Sequence, residues 1–213
     1  MRVIDLGHLD YRSAWAQQEQ VHADVVAGAS EAILLVEHPP VITFGRRAAE
    51  SARHLVAPEA QLRAMHVDVV ESDRGGDITF HGPGQVVAYP IVRLIDHRLS
   101  VGAYVKALEH AIIDTLAAFD VQGELDPSAI GVWTPSACGP AKVCALGVRI
   151  KRGVSLHGVA LNVSTDLRYF ELIVPCGLTG RPVTSLRQTL GDAAPTLEQV
   201  KPVLAAKIAA RLS

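Results

Sequence analysis

The sequence predicts an α+β fold with a mixed, largely antiparallel sheet flanked by helices. Strand-like segments come in runs, and helices are inserted between the runs rather than following each strand in turn. Residues 129–134, 141–150 and 155–163 form the clearest run and read as neighbouring antiparallel strands. The length of 213 residues fits one domain, with a boundary to a small C-terminal lobe near Asp166.

Most of the remaining strands are predicted in the N-terminal half of the chain. Apolar side chains recur at helical spacing between Trp15 and Val25, and Pro58 suits the first position of a short helix. Pro90 interrupts an apolar run, so we expect that strand to be bulged or to lie at a sheet edge. The predicted elements are helices at 11–26 and from Pro58, and strands at 2–7, 32–38, 41–44, 67–72, 77–81 and 85–94.

The C-terminal half contains the clearest helix signals. Ser100 is a good N-cap for a helix that ends near Phe119 and carries an apolar stripe. Thr196 and Gln199 fit a capping box at the start of a final helix. Pro202 lies inside that pattern and predicts either a kink or a later helix start.

Composition excludes several classes of protein. Apolar residues make up 49% of the chain and charged residues 20%, which is typical of a globular protein. The formal net charge of −2 offers no field for nucleic acid. The start "MRVIDLGHLD" lacks the pattern of a secretory signal, and no apolar run approaches the ~20 residues of a membrane span. We therefore expect a cytoplasmic protein with neither nucleic acid nor membrane as a partner.

Three cysteines raise the question of a reactive thiol. An odd, small number argues against disulfides, and the spacing of Cys138 and Cys144 has no second pair to complete a zinc site. We expect neither metal nor cofactor. Cys176, in "IVPCGLTG", lies in a constrained turn that can present a thiol at a pocket edge. A buried, inert cysteine is the alternative; it suits Cys144 better, while Cys138 resembles an exposed loop residue.

The glycine-rich stretch "RGGDITFHGPG" places a tight turn on each side of a short strand. Glycine allows positive φ and close approach of a ligand, so the main chain here can line a pocket. Two hairpin turns without a ligand are the alternative. Neither of the common glycine-rich nucleotide motifs is present. His81 precedes the second turn and is either a substrate or general-base histidine, or one bonded to a turn carbonyl.

Lys142 is the first residue on an otherwise apolar face of a predicted strand. Period-2 alternation places its side chain on the same face as those of Cys144, Leu146, Val148 and Ile150. Lysine is rarely buried without a partner, which makes Lys142 a functional candidate. The alternative is that Lys142 lies at the end of the strand, where its long side chain extends so that the ammonium reaches water.

A cysteine and a lysine form a chemically useful pair. A positive charge ~4 Å from a thiolate, at an effective dielectric near 20, contributes up to roughly 4 kcal/mol. Since one pKa unit corresponds to about 1.4 kcal/mol, this is sufficient to make a thiol largely nucleophilic. Acylation removes the negative charge, and the lysine can then act as the base for an incoming amine. A cysteine–histidine pair with His81 or His157 is the rival arrangement.

Several segments together resemble one family along nearly the whole chain. They are "LLVEHPPVITFGRRA", "RGGDITFHGPGQVVAYPIVRL", "AKVCALGVRI", "SLHGVALNV" and "IVPCGLTG". In this order they resemble the lipoate-protein octanoyltransferases. The resemblance implies a biotin/lipoate ligase-like fold. It also implies octanoyl transfer from acyl carrier protein to a lysine of lipoyl domains, the first step in making protein-bound lipoate. The implied acceptors are the 2-oxo-acid dehydrogenase complexes and the glycine-cleavage H protein.

The resemblance also implies residue roles. Cys176 would be the thioester nucleophile and Lys142 the residue that activates its thiol. The implied substrate-binding residues are Arg74, Gly75, Gly76, Asp77, Ile78, Thr79, Phe80, His81, Ala145, Leu146, Gly147, Gly158, Val159 and Ala160. Ala145 departs from the pattern, since serine is frequent there. Leu146, Val159 and Ile78 would form the walls around the alkyl tail.

Two questions stay open at this point. The first concerns five basic residues, which either steer an acidic carrier protein or are solvated residues at strand ends. They are Arg46, Arg47, Arg149, Lys151 and Arg152. An ATP-dependent lipoate ligase, which would not require a cysteine, is one alternative function, and a non-catalytic fatty-acyl binding module is another.

Overall fold

Two β-sheets position the helices and the glycine-rich segment. A computed structural model describes residues 1–46, 52–137, 139–174 and 181–213. Arg47, Cys138 and Cys176 lie outside the described residues. The strands are β1 (Arg2–His8), β2 (Ala32–Glu37), β3 (Val41–Phe44), β4 (Asp68–Glu71), β5 (Thr79–His81), β6 (Gln85–Ile91), β7 (Glu124–Asp126), β8 (Ala129–Thr134), β9 (Ala141–Lys151) and β10 (Val154–Asn162).

Helices cover both faces of the larger sheet. The α-helices are α1 (Tyr11–Val26), α2 (Glu59–Ala64), α3 (Val101–Ala117), α4 (Leu186–Leu190) and α5 (Leu197–Arg211). Short 3₁₀ segments lie at Ala52–His54, Leu167–Leu172 and Gly191–Ala193. Within the described ranges, no helix is long and apolar enough to cross a membrane.

Among the described residues, the larger sheet has the strand order β1-β2-β6-β10-β9-β8-β7 and the smaller one β4-β3-β5. Strand β1 pairs with β2 in parallel, and the other pairs of the larger sheet are antiparallel. In the smaller sheet β3 pairs with β4 in parallel and with β5 antiparallel. The predicted α+β fold with a mixed, largely antiparallel sheet is confirmed.

The two faces of the larger sheet have separate cores. On one face, Leu108 and Ile112 of α3 pack with Leu204 and Ile208 of α5, and these side chains are fully buried. On the other face α1 packs over β2, β6 and β10. Because α5 shares its core with the central strands, the C-terminal helix is attached to the main body; the boundary near Asp166 stays a prediction.

Both predicted helix caps are confirmed. The Ser100 side chain accepts from the Ala103 N–H, and Thr196 forms a reciprocal capping box with Gln199. The last helix begins at Leu197 and continues through Pro202, so the idea that Pro202 marks its start is wrong. Pro58 occupies the N-cap of α2, one position before the predicted one.

Pro90 lies in a central strand, so the prediction of an edge position is wrong. Strand β6 is flanked by β2 and β10, but its pairing with β10 stops at Ala88. Beyond that point β10 departs from regular geometry at His157, which has φ +58°. The Pro90 carbonyl accepts hydrogen bonds from the Ser155 hydroxyl (2.7 Å) and the Tyr104 hydroxyl (3.2 Å). The missing N–H of proline is tolerated because the adjacent ladder is already interrupted.

Candidate functional site

A narrow cavity lies where the glycine-rich segment meets β9 and β10. Its volume is about 50 Å³, which is room for only a few waters. Its lining comprises Tyr11, Arg74, Gly76, Asp77, Ile78, Thr79, His81, Val87, Tyr89, Ile130, Lys142, Ala145, Leu146, Gly147, His157, Gly158, Val159 and Ala160. Most of the residues predicted from the sequence to bind substrate therefore border one space.

A wider groove adjoins the cavity. It has a volume of about 430 Å³ and is lined also by Gly75, Val105, Ser128, Ala129 and Val148. The residues that border both spaces are Gly76, Asp77, Ile130, Lys142, Leu146 and Gly147. These shared residues mark the junction, so Lys142 lies where the narrow cavity opens into the groove.

Close backbone packing explains the glycines of the segment. The Gly75 N–H donates to the Val148 carbonyl at 3.0 Å. A Cβ at Gly147 would lie 2.8 Å from the Gly75 oxygen, and a Cβ at Gly45 would lie 2.1 Å from the Gly76 oxygen. The segment is thus held between β9 and the end of β3, and side chains at these positions would push it out.

Arg74 is buried at the cavity wall, with 6% of its surface exposed. Its guanidinium donates to the Thr43 carbonyl at 2.6 Å, to the Thr43 hydroxyl, and to the Gly75 carbonyl at 3.0 Å. These bonds connect the glycine-rich segment to β3 and fix the charged group beside the cavity.

Phe80 does not line the cavity. Alternation along β5 turns Thr79 and His81 towards the cavity, and Phe80 lies on the opposite face. Its ring stacks on Tyr169 with centroids 4.7 Å apart and contacts Phe170 edge-on. We infer that Phe80 belongs to the motif because its ring packs the face of β5 that points away from the cavity.

Lys142 is buried rather than extended into water, with 7% of its surface exposed. Its Nζ donates to the Ile130 carbonyl at 3.1 Å and lies 4.8 Å from the centroid of the Trp133 ring. Its backbone N–H donates to the Pro182 carbonyl, and its carbonyl accepts from the Thr184 N–H, both at 2.9 Å. The chain that follows "IVPCGLTG" is therefore fixed against the strand that carries Lys142.

The predicted shared face of Lys142 and Cys144 is wrong. Val132 and Trp133 of β8 are paired with Cys144 and Lys142, which leaves Val143 as an extra residue in β9. This β-bulge interrupts the alternation. Lys142 lines the cavity, whereas Cys144 is fully buried in the core beneath α3, where burial raises the pKa of its thiol. The interpretation of Cys144 as a buried, inert cysteine fits this position.

His81 contacts a side chain instead of the predicted turn carbonyl. Its Nδ1 lies 2.8 Å from Gln85 Oε1, and its ring stacks on Tyr11 with centroids 5.8 Å apart. The Gln85 amide in turn donates to Asn162 Oδ1 at 2.9 Å. Since Gln85 Oε1 accepts, His81 carries its proton on Nδ1, and burial holds the pKa of the imidazole well below its ordinary value.

His157 borders the same cavity from β10. Its Nε2 lies 2.6 Å from Asp73 Oδ1, and Asp73 also forms an ion pair with Arg149. Burial, with the nearby Arg74 and Arg149 charges, lowers the pKa of His157 to about 3. Cys176 lies outside the described residues, so its pairing with either histidine stays a prediction.

Two tyrosines that are not among the predicted site residues complete the lining. The Tyr89 hydroxyl lies 2.8 Å from His38 Nε2, and the Tyr11 hydroxyl lies 2.9 Å from Ser72 Oγ. Their rings contact His81, His38 and His157 in one aromatic layer. Alternation with Val87 in β6 could have indicated Tyr89, but alternation does not say which face borders a cavity.

The buried histidines predict acid lability. His38 has a pKa of about 4 and His157 of about 3, both lowered mainly by burial, against about 6.5 in the unfolded chain. The unfolded chain then binds more protons between pH 6.5 and 4, so the free energy of unfolding rises with pH in this window. Urea unfolding at pH 7.0 and pH 5.0 measures the effect, and we expect a lower midpoint at pH 5.0. An equal or higher midpoint at pH 5.0 would contradict the assignment of neutral, buried imidazoles.

The fold and the site define a class of protein. Among solved structures, one from an archaeal lipoylation system, a bi-partite lipoate protein ligase and its E2 lipoyl domain from Thermoplasma acidophilum, superposes with a TM-score of 0.73 at 14% identity, covering 99% of this chain and 83% of that one. Biotin protein ligase from Aquifex aeolicus, in complex with biotin and ATP, gives a TM-score of 0.60 at 12% identity, covering 99% and 70%. The chain therefore has the fold of the lipoate and biotin protein ligases, as the sequence predicted.

Sequence comparison is more specific. The family model for the lipoyl protein ligase A/B catalytic domain matches residues 10–209, and the chain belongs to this family. It is 48% identical over 200 residues to a protein of Chloroflexus aggregans named octanoyltransferase, with 93% of this chain and 89% of that protein covered.

Proposed function

We propose that this protein is an octanoyltransferase of lipoate biosynthesis that acts on lipoyl-domain proteins. In this proposal the donor is octanoyl-acyl carrier protein, the intermediate is a Cys176 thioester, and the whole chain forms one catalytic domain. The observation that carries the proposal is the buried Lys142 at the junction of a narrow cavity and a wider groove. Relatives named octanoyltransferase cover almost the whole chain and support the reaction type.

The lining of the narrow cavity suits an alkyl tail. Leu146, Val159 and Ile78, expected from the sequence to surround the tail, all border it. Burial of an alkyl chain contributes about 0.8 kcal/mol per methylene. His81 and His157 border the same space, and their lowered pKa values keep them uncharged near neutral pH, so the cavity has no imidazolium to desolvate.

The first half-reaction forms a thioester. The Cys176 thiolate attacks the carbonyl carbon of the octanoyl carrier thioester, a new carbon–sulfur bond forms, and the carrier thiolate leaves. The Lys142 ammonium stabilises the attacking thiolate by charge and then gives a proton to the departing carrier thiolate, so Lys142 is neutral when the first half-reaction ends. The Gly75 N–H already donates to Val148, so donors for the developing oxyanion come from other backbone groups.

The second half-reaction transfers the octanoyl group to nitrogen. The acceptor lysine amine attacks the Cys176 thioester, an amide bond forms and the carbon–sulfur bond breaks. Lys142 accepts a proton from the attacking amine, and the thiolate is regenerated. The acceptors we propose are the lipoyl domains of 2-oxo-acid dehydrogenase complexes and the glycine-cleavage H protein. In support, the fold is shared with a bi-partite lipoate protein ligase of an archaeal lipoylation system that includes an E2 lipoyl domain.

Part of the basic surface is already paired within the protein. Arg149 forms an ion pair with Asp73, and Lys151 lies 2.9 Å from Glu19. Among the described basic residues predicted to steer the carrier, Arg46 and Arg152 are exposed. We propose that these two contribute most of the attraction to an acidic carrier protein.

Mass spectrometry tests the proposal. Incubation with octanoyl-acyl carrier protein is expected to add one octanoyl group to the wild-type protein and to its Cys144→Ala variant, but none to Cys176→Ala. Addition of a lipoyl domain should then move the group to the acceptor. An adduct that persists in Cys176→Ala would contradict the nucleophile assignment. Transfer that requires ATP and free octanoate would instead identify a ligase.

A further inference from the structure

A buried carboxylate group lies close to Lys142. Glu109, on α3, has 8% of its surface exposed. Its Oε1 accepts a hydrogen bond from the Gly131 N–H at 3.1 Å. Across the described ranges, no lysine or arginine lies within ion-pair distance of it. A buried carboxylate costs free energy unless it is compensated, and among the described residues the hydrogen bond from Gly131 is the compensation that Glu109 receives.

One peptide group connects Glu109 to Lys142. The Gly131 N–H and the Ile130 carbonyl belong to the same peptide unit. Glu109 binds its N–H end, and Lys142 Nζ donates to its carbonyl end at 3.1 Å. A carboxylate at the N–H end increases the polarity of the carbonyl, and hydrogen bonds in such a chain strengthen one another.

The local backbone shows why this peptide needs an anchor. Gly131 has φ +131°, and a Cβ there would lie 2.8 Å from the Cys144 carbonyl oxygen and 3.1 Å from Lys142 Cε. Glycine permits several orientations of the adjoining peptide. The Glu109 hydrogen bond selects the orientation in which the Ile130 carbonyl faces the lysine.

We propose that Glu109 is a positioning residue that holds the Lys142 ammonium at the cavity mouth through the Ile130–Gly131 peptide. This inference rests on the proposed role of Lys142 in octanoyl transfer. Loss of the Glu109 acceptor leaves the buried Gly131 N–H unsatisfied and frees the peptide to rotate, which removes the carbonyl that fixes Nζ. The tail cavity does not include Glu109, so donor binding should be unaffected.

Single-turnover acylation at saturating octanoyl-acyl carrier protein provides the test, because the rate constant does not depend on how much of the sample is folded. We expect Glu109→Leu to slow Cys176 acylation about 10–100-fold with the half-saturating donor concentration unchanged within about 3-fold. Glu109→Gln keeps an acceptor oxygen and should stay within about 3-fold of the wild-type rate constant. Glu109→Ala replaces the leucine variant if that variant does not fold.

Thr115→Val is the matched control. Thr115 is fully buried on the same helix, and its hydroxyl donates to the Ala111 carbonyl one turn earlier. Its rate constant should equal that of the wild type. The inference is overturned by a wild-type rate constant in Glu109→Leu, by equal losses in Glu109→Gln and Glu109→Leu, or by the same loss in Thr115→Val. Failure of the wild-type protein to form any octanoyl adduct would instead overturn the proposed function.

Discussion

Lys142→Ala is expected to lower octanoyl transfer by about 10²–10⁴-fold, the range typical of a lost general acid–base group. The side chain is buried at the junction of the cavity and the groove, where its ammonium would face both the thiol and the incoming amine. Separate measurement of Cys176 acylation and of transfer to a lipoyl domain should show losses in both half-reactions.

Lys142→Arg separates the two roles of the lysine. Arginine keeps a positive charge but does not release its proton in proteins, so it cannot act as a base. We expect this variant to form some octanoyl adduct and then to stall before transfer to the amine. Lys151→Ala is the control, because Lys151 forms only a half-exposed ion pair with Glu19, and such pairs contribute about 0–1 kcal/mol. Rapid turnover by Lys142→Arg would contradict a base role for Lys142.

Gly158→Ala is expected to lower the free energy of unfolding by about 1–3 kcal/mol or more. A Cβ at this position would lie 2.1 Å from the Ala88 carbonyl oxygen and 2.8 Å from Pro90 Cδ. Both obstacles belong to β6, which is fixed between two neighbouring strands, so β10 must move away. Urea unfolding curves, compared at equal slope, measure the change in stability.

Gly102→Ala provides the comparison for that experiment. Gly102 lies in α3, and nothing is within 4 Å of the Cβ that alanine would add. Alanine has a higher helix propensity than glycine, so this variant should be neutral or more stable by up to about 1 kcal/mol. Equal stability of Gly158→Ala and the wild type would show that β6 and β10 can separate without cost, contrary to the packing described.

The sequence was informative wherever the pattern was local. Ser100 and the pair Thr196 and Gln199 specify helix starts through side chains that reach only three residues along the chain, and both predictions are confirmed. The α+β class followed from the order of the segments in the same way. The edge position predicted for Pro90 was wrong because a proline is tolerated in this central strand only through the irregular geometry of its neighbour at His157. That neighbour, β10, is distant in sequence.

The site was predictable only in part, for a similar reason. The motif residues at 74–79, 145–147 and 158–160 come from three segments, and the resemblance grouped them although no local pattern could do so. Phe80 shares the motif but packs on the other side of β5. The β-bulge at Val143, which separates Lys142 from Cys144, depends on pairing with β8. Glu109 lies in no motif, because its proposed role depends on the Ile130–Gly131 peptide, which is distant in sequence.

The main-chain hydrogen bonds between Lys142 and residues 182–184 limit how far the proposed nucleophile can lie from Lys142, because residues 177–181 form a short tether between them. Cys176 is six residues before Pro182 in the chain, and a fully extended chain of that length reaches no more than about 22 Å. The length of this tether, rather than any side chain, would govern how far thiol and ammonium can part while a bulky carrier exchanges with its acceptor.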